Sequence, residues 1–165
     1  MKAITLWQPW ASLLACGAKQ YETRSWPTKY RGPIAIHAAA RPVDSSIITR
    51  KAHYPMAQAL MQYARQFAHT PGYNIFDVLP RGCIIATAEL VGCWPIEAER
   101  MGILPVIRRA NSPHHVTPIY TDTPEYLFGD FTPSRYAWEF ANMKMLDNPI
   151  PVRGGQRIWN WDDSE

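Results

Sequence analysis

The chain has 165 residues, 47% hydrophobic and 12% aromatic, which suffices for one packed domain and argues against extensive disorder. No apolar run approaches the roughly 20 residues of a membrane helix, and Lys2 precedes only a few apolar residues before Gln8-Pro9, so no membrane partner or secretory leader is expected and a cytoplasmic location is. The net charge of +3 hides an asymmetry: residues 1–65 carry nine Lys and Arg against two acids, and residues 66–165 eight against twelve, so the first half is expected to attract an anion such as a nucleotide or an RNA backbone.

Lys2 to Leu6 reads as a first strand. Trp10, Leu13 and Leu14 then recur at helical spacing, with Pro9 at a plausible first helical position and Gly17 as a left-handed closing residue, which predicts a helix from Pro9 to about Cys16. Next comes the octet Gly17-Ala18-Lys19-Gln20-Tyr21-Glu22-Thr23-Arg24, the most informative stretch of the sequence. Lys19 falls in a tight turn. An extended run from Tyr21 to Trp26 places Glu22, Arg24 and Trp26 on one face and Tyr21, Thr23 and Ser25 on the other. Glu22 and Arg24 can be read as a structural ion pair, but that reading gives no reason for Lys19, whose compact ammonium suits a phosphate, a carbonyl or proton transfer.

Pro33 to Ala39 is a second strand, with Ile34, Ile36 and Ala38 on one side. His37 lies on the other, where it either lines a pocket with the octet or serves as a hydrogen-bonded structural residue. From Asp44 the pattern turns helical, with Asp44 or Ser45 as cap, a break at Pro55, and a stripe of Ala57, Leu60, Met61, Ala64 and Ala68, giving a helical insertion over about 44–69. Gly82 to Val91 reads as a strand, with Ile84, Ala86, Ala88 and Leu90 on one side and Ile85, Thr87, Glu89 and Val91 on the other. Residues 98–133, rich in proline and carrying Arg108-Arg109 and His114-His115, read as a long loop with short helical turns. Tyr136 to Met145 is a strand whose Tyr136, Trp138 and Phe140 share a face better suited to core than to a stacking platform. Pro149 to Val152 reads as a last short strand, and Gly154-Gly155 as a turn that positions Arg157, Trp159 and Trp161. Cys16, Cys83 and Cys93 match no zinc spacing, so no metal and no other cofactor is expected, and the cysteines read as buried free thiols.

The pattern Gly-x-Lys-x-x-Glu-x-Arg, as Gly17, Lys19, Glu22 and Arg24, resembles the signature of the ASCH family, small β-barrel proteins related to the PUA RNA-binding domain. The flanking Trp7-Gln8-Pro9-Trp10-Ala11, Tyr30-Arg31-Gly32-Pro33 before Ile36-His37-Ala38, and Gly155-Gln156-Arg157-Ile158-Trp159 are similar to that family as well. Residues 42–80 and 98–132 match little of it. The resemblance implies an α+β fold: one PUA-like mixed β-barrel over residues 1–165, with flanking and inserted helices. It also implies a partner, RNA or a modified nucleoside or nucleotide. In a binding role Lys19 and Arg24 would contact phosphate or a base carbonyl, Glu22 would accept from an exocyclic amine, and Trp26 or Trp7 would stack, with Gln8, His37 and Arg157 completing the ligand set.

An enzymatic role would use the same groups differently. Arg24 near Lys19 disfavours a second positive charge, so a neutral amine would act as nucleophile or general base, with Glu22 shuttling the proton. Some members of the family are metal-free amidohydrolases that remove the acetyl group from acetylated cytidine with a lysine and a threonine of this motif and a glutamate from elsewhere. Here Glu22 occupies the threonine position, and Glu89 is a candidate for the remote glutamate. For a ribonuclease acting on single-stranded RNA, the acid and base would be Lys19 and His37. A protein-docking module would use the loop at 98–133, but gives no reason for charges clustered beside tryptophans.

Overall fold

The computed structural model describes residues 1–44, 46, 48, 50–67, 75–98, 102, 104–109 and 116–162, and for 62–67 the backbone alone. Short alternating apolar runs bounded by Gly and Pro give β1 (Lys2–Leu6), β2 (Tyr21–Arg24) and β3 (Gly32–Ala38), with α1 (Trp10–Ala15) between the first two. The insertion α2 (Arg50–Phe67) follows, then β4 (Cys83–Ala98), β5 (Pro105–Arg108), β6 (Val116–Pro118), α3 (Pro124–Leu127), β7 (Tyr136–Pro151) and β8 (Ile158–Asn160).

The strands form one mixed sheet in the order β2-β7-β4-β3-β1-β8, with β5 paired to the end of β4 and β6 to β5. Among the described residues only β1 and β3 run parallel, in the register Lys2 opposite Ile34 to Leu6 opposite Ala38. The sheet curls around Ile4, Leu6, Ile34, Ile36, Leu90 and a fully buried Trp138, giving the expected α+β, PUA-like mixed barrel with flanking and inserted helices. Trp138 was placed in the core by its strand face, and Tyr136 and Phe140 pack beside it. No helix among the described residues is long and apolar enough to cross a membrane.

Several boundaries differ from the sequence reading. The described helix of the insertion starts at Arg50 rather than Asp44, whose side chain instead accepts bonds from Ser46; Ser45 and Ala68 lie outside the described residues. The helix also runs through Pro55. A proline inside a helix costs about 3 kcal/mol, and burying Met56 and Leu60 against α1 offsets it at about 1.5–3 kcal/mol each. The buried stripe is therefore Ile48, Ala52, Met56 and Leu60, whereas Met61 is exposed, Ala57 is only partly covered, and the side chain of Ala64 lies outside the description.

The segment 98–133 is not a plain loop: it holds the β5–β6 hairpin and α3, and Val106 and Ile107 are buried; His114-His115 lie outside the described residues. Pro149 to Val152 is no separate strand, because β7 continues through Pro151. Both long strands were cut short in the sequence reading because the β4–β7 ladder carries three register shifts, each of which breaks the alternation that marks a strand.

Candidate functional site

Lys19 is fixed by the way α1 ends. Gly17 has φ +77°, its N–H donates to Leu14 O at 3.1 Å, and Lys19 N–H donates to Leu13 O at 3.1 Å. This left-handed closure turns the chain back under the helix it has just left. The octet is then held from the other side by α3, where Glu125 accepts from the N–H groups of Gln20 at 2.7 Å and Tyr21 at 3.2 Å.

Lys19 becomes one of the most buried charges of the protein, its side chain 1% exposed. Its ammonium donates to Tyr21 O and lies 3.5 Å from Glu22 Oε2. Glu22 Oε1 lies 3.1 Å from Arg24 Nε in an ion pair without hydrogen-bond alignment, and Arg24 Nη2 donates to Thr5 O at 3.0 Å. The carboxylate thus stands between two cations, and Lys19, for which a structural pair alone gave no reason, belongs to the same charge cluster.

Above this floor opens a cavity of about 350 Å³. Its apolar wall is Trp10, Ile48, Ala52, Met56 and Phe128, contributed by α1, by α2 with Ile48 just before it, and by the end of α3; Thr23, Gly129 and Asp130 form the polar edge. Thr23 lies on the opposite face of β2 from Glu22, but β2 is an edge strand and the 127–130 segment wraps it, with Asp130 N–H donating to Thr23 Oγ1 at 3.0 Å. Burial alone would raise the Asp130 carboxyl. The Thr132 hydrogen bonds and the Arg135 charge outweigh burial and hold it below the usual carboxylate range.

Of the residues expected at a ligand, Lys19 and Glu22 line this cavity and Arg24 braces Glu22 from behind. The others are not among its lining residues. Gln8 is buried and caps α1, its Oε1 accepting Ser12 N–H at 3.1 Å and its Nε2 donating to Ser12 Oγ and Pro80 O. Trp26 packs edge-on against Trp138 at 4.7 Å, and the guanidinium of Arg157 lies 5.5 Å from its ring centroid. Trp7 is 51% exposed beneath Arg41.

His37 lines a separate cavity with Thr5, so it does not join the octet. Its Nε2 pairs with Val152 O at 3.0 Å, and burial lowers its basicity below the ordinary imidazole range. Glu89 is exposed, accepts from Asn142 at 3.2 Å, and lines a third hollow, which separates it from Lys19 as a remote carboxylate partner. The acid at the Lys19 cavity is instead Asp130, which sequence reasoning missed. Its only signal was position, directly after Phe128-Gly129 in a segment that read as a loop.

A second charged cluster lies along β7. Arg109 donates to Glu139 Oε1 at 2.8 Å, to Thr117 Oγ1 at 2.8 Å and to the Tyr21 hydroxyl at 2.7 Å, while Glu139 also accepts from Trp94 at 2.6 Å. These groups bond one another across β2, β4, β6 and β7. Among the described residues no three His, Cys, Asp or Glu side chains gather as a metal site.

Comparison with known proteins places the chain. The family model of the ASCH domain matches residues 4–150. Activating signal cointegrator 1 of Homo sapiens is 23% identical over 159 residues, 96% of this chain and 22% of that protein. Its counterpart in Mus musculus is 30% identical over 90 residues, 54% of this chain and 14% of that protein. The chain therefore spans about a fifth or less of the length of these relatives. With a domain match that runs through the octet and seven of the eight strands, the chain belongs to the ASCH domain family.

Proposed function

We propose that the Lys19 cavity binds a nucleoside unit, either within RNA or as a modified nucleoside or nucleotide. The observation that carries this reading is a floor of buried Lys19 and Glu22, braced by Arg24, beneath an apolar wall, in a cavity of about 350 Å³. That volume lies in the ordinary range for small-ligand pockets, which combine mostly apolar walls with few placed polar groups. A heteroaromatic base matches the combination: its faces meet Trp10, Met56 and Phe128, and its edge meets charged donors and acceptors. Glu22, the more accessible of the buried pair, accepts from an exocyclic amine, and Lys19 donates to a carbonyl.

Hydrolysis of an acylated nucleoside is the second reading, and Thr23 favours it. The motif's threonine position is taken by Glu22, yet a hydroxyl reaches the same cavity one residue later and has a proton to donate. Lys19 and Glu22, 3.5 Å apart, then form the proton-transfer pair. A docking role, suggested by the relatives' name as a cointegrator, makes no use of the cavity.

The test is binding and turnover of a panel of cytidines, acylated cytidines and short single-stranded RNAs, with chelator present, by the wild type and Lys19→Ala. A binding role predicts a loss of affinity of about 10- to 150-fold in the variant, the worth of a charged hydrogen bond of about 1.5–3 kcal/mol. Turnover abolished with affinity retained would make the protein a hydrolase. Wild-type protein that neither binds nor turns over any of the panel would overturn both readings.

A further inference from the structure

Beside the His37 cavity the fold gathers three segments that are far apart in sequence. Ala39 N–H donates to Leu6 O at 2.8 Å, Gly82 N–H to Ala38 O at 2.8 Å, and Val152 N–H to Gly82 O at 3.1 Å. Each segment presents an exposed arginine within two residues of these bonds: Arg41, Arg81 and Arg153. None of the three forms an ion pair among the described residues; the acid whose field meets that of Arg41 is Asp44, and its carboxylate is engaged by Ser46.

The cavity between these segments measures about 320 Å³ and is lined by Thr5, His37, Gly82, Val152 and Arg153 among others; it shares no lining residue with the Lys19 cavity. Trp7 directly follows Leu6, which Ala39 bonds, and is half exposed, with the Arg41 guanidinium 4.0 Å from its ring centroid. Glycines keep the floor bare: a Cβ on Gly154 would stand 2.4 Å from His37 Cε1.

We propose that Arg41, Arg81, Arg153 and Trp7 form a second contact surface, which takes the phosphodiester backbone of a single-stranded nucleic acid and stacks one of its bases. Guanidinium groups match phosphate oxygens in geometry as well as charge. Three of them on separate segments suit successive phosphates rather than one enclosed ion, and an exposed aromatic among them is the usual platform for an unpaired base. The surface extends the reading of the Lys19 cavity from one nucleoside to a strand, and it rests on that reading for the class of ligand.

The experiment measures affinity for a 12-nucleotide single-stranded RNA at four salt concentrations, and for a cytidine or acylated cytidine that binds the wild type. It compares the wild type, Arg41→Gln/Arg81→Gln/Arg153→Gln, Trp7→Ala and Lys19→Ala. Since each phosphate contact adds about 0.7 to the salt slope for single strands, the triple variant should lower its magnitude by about 2 and leave nucleoside affinity unchanged. Trp7→Ala should weaken RNA binding about 5- to 150-fold with the slope kept. RNA binding with the wild-type slope in the triple variant overturns the second surface while the Lys19 reading stands. No RNA binding by the wild type overturns the surface too, and the nucleoside arm alone then judges Lys19. Exposed Arg→Gln changes are expected to fold, which an unchanged denaturation midpoint checks.

Discussion

Two cavities flank Thr5, and they are built on opposite principles. On one side its carbonyl accepts from Arg24, the brace of a charged floor beneath apolar walls. On the other its hydroxyl donates to Gly155 O and accepts from Trp159 Nε1, beside a neutral, buried His37. In the first the charge is buried and apolar side chains form the wall; in the second the buried side chain is the uncharged His37 and the arginines, Arg153 of the lining included, are exposed. Burying a charge is expensive unless it is paired, so the first arrangement invests in partners at the floor, whereas the second leaves its cations in water, where they cost little and remain free. Charge clustering alone therefore does not mark a site: Arg109 and Glu139 are as clustered as Lys19 and Glu22, yet they are engaged with each other and with Tyr21, Thr117 and Trp94.

The sharpest way to break this contrast is to remove the charge from the floor. Glu22→Gln keeps the shape but leaves Lys19 and Arg24 side by side without their counter-ion. Breaking a buried pair from one side costs about 3–5 kcal/mol, so the urea midpoint should fall steeply and nucleoside affinity with it. A loss below about 1 kcal/mol would mean that water reaches the floor and that the triad is a surface network. On the other side of Thr5 the vulnerable element is backbone rather than charge. Gly154→Ala drives a methyl group into His37 and the Thr5 hydroxyl, an overpacking cost of about 1–3 kcal/mol, while nucleoside affinity at Lys19, normalised to folded protein, should not change. If that affinity falls, the two cavities are one coupled site and the contrast fails.

Much of this arrangement could be read from the chain before folding, and the parts that could not have a common cause. β1, α1, the Gly17 closure, β2 and β3 were legible because each is short and bounded by a glycine or a proline that fixes its ends. The Lys19–Glu22–Arg24 cluster was legible because local geometry suffices to gather residues three and two apart. What was not legible depends on partners distant in sequence. Periodicity cannot register that α2 runs through Pro55 because α1 covers Met56, or that β4 and β7 run on together past their bulges. The strand face of His37 allows either a pocket with the octet or a structural hydrogen bond, and which cavity that face meets is decided by the 152–156 segment, over a hundred residues away. Apart from Trp10, the apolar wall of the Lys19 cavity comes from the insertion and from the end of α3, two stretches distant in sequence from the octet.

The smallest effect tests whether the second cavity is neutral inside. Val152 O can only accept, so His37 Nε2 carries the proton, and Nδ1, buried against Gly154 without a hydrogen-bond partner, is the unprotonated nitrogen. Burial lowers the imidazole's basicity, and a second proton on Nδ1 would find no acceptor. The folded protein therefore binds fewer protons at this ring than the unfolded chain does, and stability must rise with pH across that window. As pH falls through about 6.5, the unfolded value for histidine, the unfolded state gains a proton that the folded state refuses, and stability declines. Denaturation at matched steps from pH 7.5 to 5.5 should register this as a falling urea midpoint. His37→Gln, whose amide can still donate to Val152 O, should flatten the profile by the contribution of this ring. A profile with the same slope in both proteins would mean that the ring gains a proton in place, and that the second cavity, like the first, holds charge inside.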